Sequence, residues 1–114
     1  MKTFLKVMKA LSDPSRVKIM KRLQKKVMCV CEITAALGVA QSTTSKHLKI
    51  LEDAGLIVFY KDGLWVNYAL ADGAASPYAA SLIGNLKHWL EDDPGVNELV
   101  LRLPQIRRED VCGR

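Results

Sequence analysis

Residues 41–70 read QSTTSKHLKILEDAGLIVFYKDGLWVNYAL. The first half has helical spacing, with Leu48 and Leu51 on its inner edge and Gly55 placed as a natural C-cap. The period then switches. Two runs rich in β-branched and aromatic residues flank Lys61-Asp62-Gly63, the strongest hairpin signal in the chain. Immediately upstream, from Glu32, the residues Ile33, Ala36 and Leu37 mark one face of a shorter helix that Gly38 interrupts. A short helix, a glycine turn, a longer helix and a hairpin make a winged helix-turn-helix, with the helical pair at about 32–54 and the wing at about 57–70.

The rest of the chain adds helices to this unit. FLKVMKAL carries Phe4, Leu5, Met8 and Leu11 at the spacing of one helical face. Asp13 can then cap a helix whose first position suits Pro14, and in which Val17, Met20 and Leu23 recur every third residue. QKKVM reads as a short connection. Ser76 and Pro77 repeat the cap-plus-proline start and open a helix at about 77–91, with Tyr78, Leu82, Leu86, Trp89 and Leu90 along one side. A polar tail closes the chain at about 104–114. The expectation is one domain over 1–114, mainly α with a small β-hairpin, in the order four helices, hairpin, helix.

Composition limits the function classes. The 114 residues are 49% hydrophobic and 25% charged, as in a globular domain with one modest core. No apolar run approaches the roughly 20 residues that span a bilayer, and the lysine-rich N-terminus lacks the apolar stretch of a signal peptide. A cytoplasmic protein without a membrane partner is expected. Residues 1–26 hold nine Lys and Arg against one acid, Asp13, so they carry +8 of a formal +5 and the remainder sums to −3. A basic end suits an anionic partner such as nucleic acid, although a solvated helical face would look the same.

For DNA binding, the N-terminal residues of the longer helix are the ones that meet base edges: Gln41, Ser42, Thr43, Thr44, Ser45, Lys46 and His47. Gln can pair with adenine, Ser and Thr hydroxyls reach bases or phosphates, and Lys46, His47 and Lys49 suit the backbone. Glu52 and Asp53 keep this helix from being strongly basic, so Arg16 and Lys18 are expected to supply much of the field. The segments ALSDPSRVKIMKRL, CVCEITAALGVAQSTTSKHLKILEDAGLI and KDGLWVNYAL together resemble the ArsR/SmtB family of metal-responsive winged-helix repressors. The resemblance implies a homodimer built on the N- and C-terminal helices and seated on a two-fold operator in double-stranded DNA. It also implies DNA contacts from Ser42, Ser45 and His47, and a hairpin tip, Lys61 to Gly63, that reaches toward the minor groove.

Two of the three cysteines, Cys29 and Cys31, stand one residue apart just ahead of the shorter helix. Successive helix residues turn by about 100°, so two thiolates at i and i+2 share an ion only if the segment is extended or the first turn opens. Soft thiolates select thiophilic ions. The family's arsenic and antimony sensors carry CVC followed by an acid here, and CVCE matches; As(III) or Sb(III) is the implied effector. A further family cysteine position holds Thr34, so Cys112 becomes the candidate third ligand. Cd(II) or Pb(II) at the same thiolates stays open, as does a thiol-redox switch using Cys112, since a disulfide across one residue is strained. The family's zinc pattern between C-terminal helices is missing from 77–91, where His88 is the only histidine. A C-x-C oxidoreductase would need strands and helices alternating around the motif, and no catalytic constellation stands out, so an enzyme is not expected.

Overall fold

Two of the helices begin at a side-chain cap followed by proline. The computed structural model describes residues 1–96; the expected tail at 104–114 and Cys112 lie outside them. Helix α1 covers Lys2–Ala10 and α2 covers Pro14–Leu23. Asp13 caps α2 by accepting the Arg16 N–H at 3.2 Å, and Pro14 fills the position where no N–H is required. The same device opens α5 (Pro77–Leu86), where the Ser76 hydroxyl accepts the Ala79 N–H at 3.0 Å. Between them lie α3 (Val30–Leu37), α4 (Gln41–Asp53) and the hairpin strands β2 (Ile57–Asp62) and β3 (Trp65–Leu70).

Turn chemistry sets the angles of the central unit. Gly38 ends α3 at φ 71°, and Gly55 ends α4 at φ 77° with the Leu56 N–H closing back onto the Leu51 carbonyl. A Cβ at Gly55 would lie 2.4 Å from the Cβ of Ala75, so this turn needs glycine for space as well as for conformation. In the hairpin, Asp62 pairs with Trp65 across a two-residue loop whose first member, Gly63, has φ 63°. The core is gathered where α2, α3, α4 and the base of the hairpin meet: Ile19, Met20, Met28, Ile33, Leu48, Leu51, Leu56 and Ile57 are all buried.

Two features depart from the sequence reading. The first is a third strand, β1 (Met28–Cys29), which pairs antiparallel with β3 through Met28↔Tyr68 and Cys29↔Asn67, so the sheet order is β1-β3-β2. Part of the segment read as a connection is therefore structural. The second is the end of α5, at Leu86 and not near 91. The buried Lys21 of α2 takes the last carbonyl of α5 and one from the turn beyond it: Nζ donates to Leu86 O at 2.8 Å and to Trp89 O at 2.9 Å, and lies 3.2 Å from the Glu91 carboxylate. A cation at the negative end of a helix holds the chain in that turn. Helix α1 buries Val7 and Ala10, while Phe4, Leu5 and Met8 of its apolar stripe face outward. Phe4 meets Tyr78 of α5 edge-on at 5.3 Å, joining two helices that both leave apolar groups exposed.

Candidate nucleic-acid interface and thiol site

Helix α4 projects the residues that the sequence singled out, with one clear exception. Gln41, Ser42, Thr43, Ser45, Lys46 and Lys49 are exposed. Thr44 is fully buried, and its hydroxyl lies 3.4 Å from the Ala40 carbonyl, so it packs the helix inward and is withdrawn from any external ligand. The hairpin tip is open: Lys61 and Gly63 are exposed, and Leu64 beside them is 71% exposed.

His47 is half-buried and held from behind. Arg16 Nη1 lies 3.1 Å from His47 Nδ1, and the Asp13 carboxylate lies 4.0 Å from the same nitrogen. Arginine only donates, so Nδ1 accepts and the ring proton of a neutral His47 sits on Nε2. The other nitrogens of the guanidinium serve α1: Nε donates to Ala10 O at 2.7 Å and Nη2 to Lys9 O at 3.4 Å. Arg16, expected to contribute to a general field, also fastens α1 to α4. Lys49 is likewise engaged. The Asp53 carboxylate hydrogen-bonds it at 3.2 Å and, with added attraction from Asp53 and Glu52 charge, raises its ammonium above the ordinary 10.5. Of the α4 lysines, Lys46 has no such partner in the same helix among the described residues.

The cysteines fall on either side of a structural boundary. Cys29 closes β1 and is the N-cap of α3, with extended backbone at φ −86°, ψ 169°; Cys31 is the second helical residue. Cys29 is buried and Cys31 half-buried, both as free thiols. The cap is reciprocal. The Cys29 sulfur accepts from the Glu32 N–H, and the Cys29 N–H donates to Glu32 Oε1 at 2.9 Å. Glu32 is buried, and Lys26 Nζ stands 3.4 Å from its other oxygen. The acid of CVCE thus has a local structural task. Among the described residues no group of three or more His, Cys, Asp or Glu side chains could hold a metal ion.

Sequence reasoning missed the roles of Glu32, Arg16, Lys21 and Asn67. The signal for Glu32 was available, since C-x-x-E is the capping box S/T-x-x-E with sulfur in place of hydroxyl. Asn67, a buried polar residue opposite Cys29 in β3, breaks the alternation of its strand only weakly and left little to find. The carbonyl partners of Arg16 and Lys21 depend on tertiary approach and have no sequence pattern.

Residues 13–58 match the family described as bacterial regulatory protein, arsR family. The arsenical resistance operon repressor of Escherichia coli is 35% identical over 100 residues, covering 87% of this chain and 83% of that protein. The transcriptional repressor SmtB homolog of Synechocystis is 41% identical over 63 residues, 55% of this chain but 48% of that relative's length. Among solved structures, the homodimeric winged helix-turn-helix DNA-binding domain Mb0332 of Mycobacterium bovis superposes with a TM-score of 0.63 at 25% identity, covering 76% of this chain and 77% of that one.

Proposed function

The chain belongs to the arsR family of bacterial regulatory proteins, and on that premise we propose that it is a dimeric, cytoplasmic repressor of transcription that leaves its operator when Cys29 and Cys31 bind As(III) or Sb(III). The observation that carries the DNA-binding part is the outward row Gln41, Ser42, Thr43, Ser45 and Lys46 at the start of α4, with the exposed wing tip at Lys61 and Gly63. His47 and Lys49 add to it from braced positions. The exposed Phe4, Leu5, Met8 and Tyr78 of α1 and α5 suit burial against a second copy, and the Mycobacterium bovis domain is described as homodimeric.

The effector reading rests on the β1–α3 junction. Cys29 is extended and only Cys31 lies within the regular helix, which supports the reading that the two thiolates share one ion once the first turn of α3 opens. Two thiol donors favour a thiophilic ion, and the Escherichia coli relative is named as an arsenical resistance repressor. Cys112 is the proposed third donor. The test is fluorescence anisotropy of the reduced full chain on duplex DNA from upstream of its own gene, titrated with arsenite. Release of the wild type but not of Cys29→Ser supports the reading. Retention of both on DNA removes the arsenic part and turns attention to cadmium, lead and oxidants.

A further inference from the structure

The geometry points to the wing, and not only α4, as an output of the thiol site: ligation at Cys29 loosens the pairing of β1 with β3 and so unseats the hairpin. This rests on the effector reading above and specifies its regulation. Cys29 belongs to two elements at once. It is the last residue of β1, opposite the buried Asn67 of β3, and it is the N-cap of α3. Its N–H is held by Glu32 Oε1 at 2.9 Å, and its sulfur by the Glu32 N–H.

An N-cap side chain folds over the helix end, whereas the side chain at the second helical position projects away from the axis. One atom bonded to both sulfurs therefore draws the Cys29 sulfur off the Glu32 N–H. The chemistry balances without an oxidant: two thiols and As(OH)3 form two S–As bonds, each thiol proton joins a departing hydroxyl, and two waters leave. Once the cap opens, the carboxylate of Glu32 no longer fixes the Cys29 backbone. Strand β1 has only two residues, Met28 and Cys29, with which to hold β3, so a shift at Cys29 affects half of that pairing. The hairpin continues unbroken from this seam through Trp65 and Gly63 to Lys61, so its tip moves with its base.

Hydrogen–deuterium exchange of the reduced full chain, with and without excess arsenite, tests this. In the same samples the near-ultraviolet absorption of S–As bonds reports binding. Amides around Asn67 and Tyr68 should exchange about fivefold faster with arsenite, the factor that loss of a typical cap allows, while the middle of α5 stays unchanged. Cys29→Ser keeps a capping hydroxyl and should show no wing response. Arsenite absorption with accelerated exchange confined to α3 and α4 overturns the wing proposal and leaves the effector reading standing. A wing response that persists in Cys29→Ser also overturns it. Absence of S–As absorption defeats the effector reading and this inference together.

Discussion

Replacing Glu32 by alanine tests whether a reciprocal cap built on sulfur holds the start of α3. The substitution removes the acceptor of the buried Cys29 N–H, 2.9 Å away. A hydrogen bond to a charged group contributes about 1.5–3 kcal/mol, most of it lost when the donor is left buried. The Lys26 contact at 3.4 Å adds little, because Lys26 is 45% exposed and water screens the pair. Alanine also relieves the cost of keeping a carboxylate buried, which sets the expected loss at about 2 kcal/mol. For a chain of this size that lowers Tm by about 8 °C. Cys29→Ala should lose about 1 kcal/mol, whereas Cys29→Ser should stay within about 0.5 kcal/mol of the wild type. Urea denaturation of the two alanine variants and their double mutant completes a cycle, and the double loss should fall short of the sum by at least about 0.5 kcal/mol. Strict additivity, or a Glu32→Ala loss below about 0.5 kcal/mol, would refute the cap as the holding interaction.

Other substitutions separate effects that the structure distinguishes. Gly38→Ala meets nothing within 4 Å and should lose only the left-handed backbone penalty, about 1 kcal/mol, while Gly55→Ala also strikes Ala75 and should lose about twice that or more by thermal denaturation. In DNA titrations at several salt concentrations, Lys46→Ala should reduce the salt slope by about 1. Lys49→Ala should change it less, and Asp53→Asn, which frees Lys49, should strengthen binding; equal effects at both lysines would contradict the Lys49–Asp53 pairing as the reason. Burial, with a smaller contribution from Glu52, raises the Tyr68 phenol above its ordinary 10.0. Its neutral form therefore contributes stability that is complete below pH 10.0 and lost as pH rises through the folded value, so the wild type should weaken relative to Tyr68→Phe only above that pH.

Elements whose instructions are local were legible in the sequence. The caps at Asp13 and Ser76, the stop at Gly55 and the loop at Gly63 each act through neighbours a few residues away, and each stands where it was expected. Leu48 and Leu51 of α4 are buried as their spacing implied. A strand of two residues has no period to detect, so β1 could not be read from Met28 and Cys29. Helical spacing marked the apolar stripe of Phe4, Leu5 and Met8 but says nothing about which side of α1 meets the core; the smaller Val7 and Ala10 do. The candidate interface was found by position along α4, yet Thr44 faces inward and His47 is braced, distinctions that arise only when α1 and α2 close behind the helix.

Arg16 has a consequence for the assembly as a measuring device. Its three donor contacts fasten the end of α1 to His47 of α4. In a dimer joined through α1, each reading helix would be set at a fixed distance from the symmetry axis by one guanidinium. Two such helices fit DNA only when their separation matches a helical turn, about 34–36 Å. Arg16 would then act like the pivot of a caliper: altering it changes which gap between half-sites is tolerated, while the bases preferred within each half-site stay the same.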